Sequence, residues 1–478
     1  MPRQPRLGGR VRGLRLKHAL TQRALAERLG VSPSYLNLIE HNRRPLPAPM
    51  LLDLVETFGV DLAEFSTDDT ARTADALLEV AADPMLKDLA LGEAELRDLA
   101  SNAPDIAQAV VRLYARVRDA TGTAESLAEM LHDGDEASPT TISAMPSDEV
   151  SDLIQESGNY FHPLEQAAEA LRSELEVDAD DLASALTARL LDVHGVEVYI
   201  AHAGDMPSAL RRYDPKAKRL MLSEALERPT RSFQLAHQLC LFEHRAVLDS
   251  LIEGRRLTTS DAQRLAVVAL ANYFAGAVMM PYESFLAAAE NERYDIERLC
   301  HRFRARYEQV CHRLTSLRRP GSEGVPLHLV RVDIAGNISK QFSATGMKFA
   351  RFSATCGRWA VHSAFLTPGE IRCQIEEMPD GERYFCVART LRRERVGYQH
   401  AGPRLAISVG CRLADASRLV YSDHVQTGAD SRVTMIGTAC RVCNRSDCDQ
   451  RASPAIHQPL RIDENVRGLS FFAPPADR

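Results

Sequence analysis

Three cysteines in the run CRVCNRSDCDQR, namely Cys440, Cys443 and Cys448, constrain this chain more than any other feature. A C-x2-C turn is short enough for both sulfurs to reach one ion or cluster, and the third thiol follows closely. Arg441, Arg445 and Arg451 stud the same loop. Three ligands leave one position open, and Cys411, upstream in LAISVGC, is the natural fourth. Four thiolates suit zinc and an iron–sulfur cluster alike, and nearby arginines would offset the charge of either. Surface cysteines placed by chance are the bland alternative. A disulfide is disfavoured, because nothing else in the chain looks secreted.

At 478 residues the chain is too long for one ordinary core, and its length suggests roughly three domains. The hydrophobic share of 45% and charged share of 26% are those of a soluble globular protein. No apolar run reads as a bilayer span, and the Arg-rich start has no apolar region behind it. Ten cysteines without a signal peptide point to a reducing cytoplasm. The net charge of −7 hides an asymmetry. Residues 1–50 carry ten Lys or Arg against two acids, whereas residues 61–100 carry eleven acids against three bases. A basic head on an acidic protein suits a small nucleic-acid-binding module.

Residues 1–66 read as short helices with tight turns. Val11, Leu14 and Leu16 give one apolar stripe. Thr21 caps a second helix, TQRALAERLG, with Ala24, Leu25 and Leu29 inward and Gly30 ending it. Ser32 is a good N-cap, and Pro33 fits the first helical position, where no amide hydrogen is needed. The helix SPSYLNLIEHN then turns Leu36 and Ile39 inward, and PMLLDLVETFG closes the bundle. Two helices about a glycine turn, the second opening on short polar side chains, describe a helix-turn-helix. The segment TQRALAERLGVSPSYLNLIEHNRRP resembles the phage-repressor, or Xre-type, family. Gln22, Ser32, Ser34, Tyr35 and Asn37 are expected to face DNA, with Arg43 and Arg44 placed for phosphate contacts.

Residues 67–148 read as acidic helices serving as linker or dimer contacts, ending in an exposed loop over 132–149. Residues 149–320 alternate helices with the short strands EVYIAHA and RLMLS. The phrase FQLAHQLCL resembles the IrrE-like metallopeptidases, whose H-E-x-x-H places two zinc-binding histidines and a general base on one helix face. Here His237 is kept, but Gln238 replaces the base and Leu241 the second ligand. An amide cannot take a proton from water and leucine cannot bind zinc. His244 lies two turns away and is no substitute. No catalytic residues are assigned, and the chain is read as a non-enzyme.

Residues 321–478 turn to strands: LHLVRVDIAG, NISKQFSATG, EIRCQIEEM, ERYFCVART, RLAISVGC and RLVYSDH. The expected fold class is therefore multidomain and mainly α with an α+β part. A helix-turn-helix bundle leads, a degenerate zincin-like middle follows, and a mixed domain on an antiparallel sheet ends the chain.

Taken together, SPSYLNLIEH, NYFHPLEQAAEAL, LANYFAGAVMMPY, RVDIAGNISKQFSATG, CGRWAVHSAF, RLVYSDH and GTACRVCNRSDCDQRASP resemble the short-chain fatty-acyl transcriptional regulators across nearly the whole chain. The resemblance implies a cytoplasmic homodimer or higher oligomer that binds an inverted-repeat operator. It also implies an acyl-coenzyme A effector and control of propionate or acetate metabolism. At the cysteines it tips the choice to a 4Fe–4S cluster on Cys411, Cys440, Cys443 and Cys448, with zinc as the alternative and His400 or His457 as substitute fourth ligands. Family members usually carry Pro and Asn where this chain has Gly357 and Ala360, beside its one tryptophan, Trp359.

Coenzyme A phosphates want Arg or Lys in a concave site, and pantetheine wants an apolar groove. Arg331, Lys340, Lys348 and Arg351 are candidates for the first, and Tyr160, Arg212, Tyr213, Tyr273 and Trp359 for the rest. Cys240, Cys300, Cys311, Cys356, Cys373 and Cys386 are read as packing residues. Two other classes compete: a phage or toxin–antitoxin regulator with a structural zinc, and a residual peptidase or acyl-transfer enzyme.

Overall fold

The computed structural model describes residues 7–18, 20–41, 43–58, 67–83, 86, 89, 91–133, 146–206, 209–350, 355–391, 402–428, 431–446 and 448–455. It divides into two compact units. One comprises Met1–Ala144, Ala350–Ala354 and Thr438–Arg478; the other comprises Met145–Phe349 and Thr355–Gly437.

The first unit opens with α1 (Gly8–Lys17), α2 (Gln22–Arg28), α3 (Pro33–Glu40) and α4 (Ala48–Phe58). Thr21 and Ser32 cap α2 and α3 as expected, accepting from the amides of Ala24 at 3.1 Å and Tyr35 at 3.2 Å. Gly30, at φ 64°, makes the left-handed step between them, which a side chain would resist. Leu7, Val11, Leu14, Leu25, Leu29, Leu36, Ile39 and Leu54 form the core. Leu16 departs from the expected stripe: it is 59% exposed, and Leu7 completes the inward face. Helices α5 (Thr67–Ala81), α6 (Glu93–Asn102) and α7 (Pro104–Asp133) form a second cluster around Leu77, Leu96, Ala107 and Val111. α1 docks on α6 through Gly9, whose α-carbon faces the Ser101–Asn102 backbone with no space for a Cβ. Tail residue Val442 packs into the same α5–α7 cluster.

The second unit begins with α8 (Pro146–Glu156), α9 (His162–Leu175) and α10 (Leu182–His194). A small sheet follows, in the order β1 (Glu197–Ala201), β3 (Arg219–Ser223), β2 (Arg211–Asp214). RRYD, between the two strands read from the sequence, is itself an antiparallel strand, β2, and a turn follows at Pro215–Lys218. Helices α11 (Arg228–Glu243), α12 (Arg245–Ile252), α13 (Ser260–Met279), α14 (Tyr282–Asn291), α15 (Ile296–Phe303) and α16 (Tyr307–Thr315) complete the helical part. α13 alone among the described helices is long and apolar enough to cross a membrane, yet it packs against α9 and α11, with Ala266, Leu270, Phe274 and Val278 in the core. At the heart of this part Arg313 and Glu165, both buried, meet at 2.5 and 2.9 Å, and Tyr273 donates to Glu165 at 2.6 Å.

After a short hairpin, β4 (Arg318–Arg319) and β5 (Ser322–Glu323), come β6 (His328–Asp333), β7 (Ile338–Ser343), α17 (Ala360–Ser363), β8 (Arg372–Glu377), β9 (Arg383–Leu391), β10 (Leu405–Arg412) and β11 (Val433–Met435). They build a six-stranded sheet in the order β11-β8-β9-β10-β6-β7, antiparallel apart from β11 beside β8. RLVYSDH, expected as a strand, instead falls in two 3-10 turns, Leu413–Arg418 and Val420–His424. Strand alternation sends Leu329, Ile407, Val409 and Cys411 to one face, against the helices. Val330, Ala388, Ala406 and Cys386 go to the other, beneath α17.

Candidate functional site

On the head, α3 presents Ser34 and Asn37 to solvent, and Arg43 and Arg44 follow it, both exposed. Tyr35 is half buried, with the Arg44 guanidinium 5.3 Å from its ring centre. The Ser32 hydroxyl is engaged as a cap. Gln22 reaches across the turn to Asn37 at 3.3 Å and to Glu40 at 2.9 Å, so the two amides form one polar edge. A cationic surface ending in short polar side chains has the chemistry of a major-groove reader.

In the helical part of the second unit, His237 is buried on α11 and its Nδ1 meets the Asn272 Oδ1 at 2.9 Å. Burial first, and then the Arg211 charge, lower its pKa to about 4. Its Nε2 has no hydrogen-bond partner. Gln238 is buried beside it and Leu241 packs against the core. A neutral imidazole fixed by an amide, with neither base nor second ligand, cannot activate water.

The coenzyme A candidates fall into separate places. Tyr273 is committed to Glu165, and Tyr213 packs edge-on against Phe242 at 5.1 Å. Tyr160 accepts from Arg319 at 3.1 Å, and Arg212 is exposed on β2. Arg331 and Lys340 are cross-strand partners beside Glu308 and His312. Burial tends to raise the Glu308 pKa, but His312, Lys340 and Arg331 outweigh it and hold this carboxyl below its usual range. Lys348 pairs with Asp380 at 3.4 Å. Arg351 lies outside the described residues.

Trp359 sits elsewhere, on the face of the sheet away from Arg331, and lines a concave site where several polar groups converge. His328, Val330, Met347, Phe349, Trp359, Val361, Glu376, Cys386 and Ser408 line a cleft whose free space is about 10 Å³, room for roughly one water. Trp359 is held by its indole N–H to the Gly437 carbonyl at 2.9 Å and by Phe349, edge-on at 5.7 Å. Glu376 accepts from the Ala360 amide at 2.6 Å and from Gln374 at 3.0 Å. Burial raises its pKa to about 7, and burial also pushes the Cys386 thiol well up. The thiol lies 3.4 Å from Glu376 and 3.5 Å from the His328 Nε2. Thr345, at 2.9 Å from His328 Nδ1, anchors the ring from behind, and burial holds its pKa near 3. Gly410 makes room for that ring, since a Cβ there would come within 2.5 Å of Nε2. Sequence reading found Trp359 but missed His328 and Glu376 and set Cys386 aside as packing. The available signal was Gln374 and Glu376 at alternate positions on a strand otherwise rich in core residues.

The four cysteines divide between the two units. Cys411 is buried on β10 among core side chains, and burial lifts its pKa to about 12. Cys440, Cys443 and Cys448 belong to the other unit, in a loop knit around Arg451. Arg451 donates to the carbonyls of Cys440 at 2.6 Å and Cys443 at 2.9 Å and also to that of Arg445, while the Ala452 amide points at the Cys440 sulfur at 3.5 Å. Among the described residues no three His, Cys, Asp or Glu side chains are arranged to hold a metal. His400 and His457 lie outside the described residues. The loop has a different visible attachment: Arg441 donates to the Ala82 carbonyl at the end of α5.

A helix-turn-helix head joined to a catalytically emptied domain and a sheet with a polar-lined cleft defines a ligand-responsive, DNA-binding transcriptional regulator. The chain matches a helix-turn-helix family over residues 11–65, an IrrE N-terminal-like domain over 191–315, and the short-chain fatty acyl coenzyme A regulator C-terminal family over 316–472. It is 42% identical over 470 residues to the HTH-type transcriptional regulator RamB of Mycobacterium tuberculosis, covering 98% of each chain. It is 40% identical to the propionyl-CoA carboxylase regulator of Cereibacter sphaeroides, covering 97% of each. A solved Mycobacterium tuberculosis transcriptional regulator superposes with a TM-score of 0.65 at 39% identity, covering 68% of this chain and 99% of that one. This chain belongs to the short-chain fatty acyl-coenzyme A regulators.

Proposed function

We propose that this regulator binds an inverted-repeat operator as a homodimer, and that a short-chain acyl-coenzyme A sets its operator affinity by placing its acyl end in the Trp359 cleft. The observation that carries the reading is the cleft itself. It lies within the region matched by the acyl-coenzyme A regulator family, and apolar side chains surround a buried acid, a thiol and an imidazole. Pockets of that kind fix orientation with few polar groups and select by size. With space for about one water, the cleft admits a tail only as Phe349 or Trp359 yields, so length discrimination is steep. Gly357, with open space where a Cβ would stand, and the small buried Ala360 flank the tryptophan. Control of genes for propionate or acetate use is the target we infer, supported by the relative named as a propionyl-CoA carboxylase regulator.

The test is a thermal-shift series with free, acetyl-, propionyl-, butyryl- and octanoyl-coenzyme A, with operator binding measured in parallel. One or two short-chain esters should stabilise the protein by about 2.7 kcal/mol at a hundredfold excess over their dissociation constant. The same esters should change operator affinity, since only a ligand that distinguishes the two states can shift them. Equal shifts for every chain length would remove the cleft from the account.

A further inference from the structure

Glu376 is the one acid that lines the Trp359 cleft, and its two carboxyl oxygens are bonded unequally. Oε1 accepts from the Ala360 amide at 2.6 Å and from the Gln374 side chain at 3.0 Å, which fills its lone pairs. Among the described residues Oε2 meets only the Cys386 thiol, at 3.4 Å. Sulfur is a weak partner as donor and as acceptor, so Oε2 is under-bonded although the residue is only 2% exposed.

The surroundings decide which form of the acid is present. Cys386 on β9 and His328 on β6 face the cleft uncharged, since burial keeps the thiol protonated and the imidazole deprotonated. Ser408 on β10 and Trp359 ahead of α17 add no charge. The cross-strand neighbours of Glu376 are Tyr384 on β9 and Thr434 on β11, and burial holds the Tyr384 hydroxyl protonated as well. Among the described residues no cation is placed to hold a carboxylate here, so desolvation favours the neutral acid, with a pKa of about 7. Because Oε1 already accepts two N–H groups, the proton belongs on Oε2. It is a buried O–H donor with no better acceptor than sulfur.

We propose that this O–H reads the effector: neutral Glu376 donates from Oε2 to the carbonyl oxygen of an acyl thioester, and so separates acyl-coenzyme A from analogues that lack that oxygen. The inference rests on the acyl end entering the Trp359 cleft. A carbonyl oxygen is a better acceptor than the thiol it replaces, whereas an ionised Glu376 would set one acceptor against another. A site built to bond a polar group rejects the analogue without it, because its own buried group is then left unpaired. Recognition is therefore complete while Glu376 is protonated and is lost as pH rises through about 7.

The test compares propionyl-coenzyme A with S-propyl-coenzyme A, a thioether of nearly the same shape without the carbonyl oxygen. Equilibrium binding and Trp359 emission are followed on the full-length protein from pH 5.5 to pH 8.5. Ionisations of the phosphates and adenine are common to both ligands and cancel in the ratio of their dissociation constants. The wild type should prefer the thioester by about tenfold at pH 5.5 and by about twofold or less at pH 8.5. Glu376→Gln places an N–H donor at the same point and should keep the preference at every pH. Glu376→Met, with no donor, should show none. A wild-type preference that stays constant across the range would overturn the role of Glu376 and needs no variant to establish it. If propionyl-coenzyme A fails to bind, or binds without changing Trp359 emission, the cleft is not its site and this inference falls with that reading.

Discussion

Arg15 and Glu40 form a two-pronged ion pair inside the head, with Nε to Oε1 at 2.6 Å and Nη2 to Oε2 at 3.1 Å, and the carboxylate is almost wholly buried. It ties α1 to the end of α3, and Gln22 bonds to the same carboxylate. The pair thus fixes α3, which carries the candidate DNA contacts Ser34 and Asn37, against α1 and α2. Arg15→Ala would strand a buried charge, at a cost of about 3–5 kcal/mol. We expect the head to unfold in a separate early transition on urea titration, with operator binding lost. Replacing both partners by Met and Leu should recover most of the stability.

On the outer edge, Asn37→Ala should cost about 1–3 kcal/mol at one or two operator base pairs and little elsewhere. Arg43→Ala should weaken all sequences alike and lower the slope of affinity against salt by about one charge. The comparison is made by competition binding at two ionic strengths. A uniform loss for Asn37→Ala would assign that residue to the backbone instead of the bases.

Glu376 makes a prediction about pH. Burial raises its pKa from 4.5 to about 7, so the folded protein holds a proton that the unfolded chain releases. Its contribution is therefore complete below about pH 4.5, declines as pH rises to 7, and is flat above that. Glu376→Gln keeps an acceptor for the Ala360 amide and needs no proton. Against wild type, its midpoint of unfolding should gain progressively between pH 5 and pH 7, up to roughly 3 kcal/mol as a ceiling. A constant difference across that range would mean that Glu376 is ionised in the folded state.

The cysteines separate by the same logic. Cys411→Ser puts a hydroxyl into an apolar core and should cost on the order of 1–3 kcal/mol whatever metal the protein holds. Serine at Cys440, Cys443 or Cys448 should leave the sheet intact. Metal analysis and a visible spectrum of anaerobically purified protein check this directly. A brown protein bleached by Cys411→Ser would assign Cys411 to a four-thiolate cluster, whereas retained colour would leave it a core residue.

Local chemistry made much of this molecule readable in the sequence. The caps at Thr21 and Ser32, the left-handed Gly30 and the two-residue period of β6, β8, β9 and β10 are short-range signals, and each appears in the structure. Loss of the peptidase base at Gln238 was equally plain. What escaped depends on distance in sequence. RLVYSDH has the apolar alternation of a strand but folds as turns, with the Tyr421 hydroxyl reaching back to accept from the Ile296 amide at 2.9 Å. The cleft joins residues from six separate segments, and only the register of β6, β8, β9 and β10 brings His328, Glu376, Cys386 and Ser408 together.

One measurement addresses the central claim most directly. Trp359 is the only tryptophan in the chain and lines the cleft, so its emission, excited at long wavelength, reports the site alone. Titration with propionyl-coenzyme A should give a saturable change in intensity or wavelength, over the concentration range in which operator affinity changes. Free coenzyme A should give a smaller change or none. If acyl-coenzyme A alters operator binding while Trp359 emission stays unchanged, the effector binds elsewhere and the cleft is not its site.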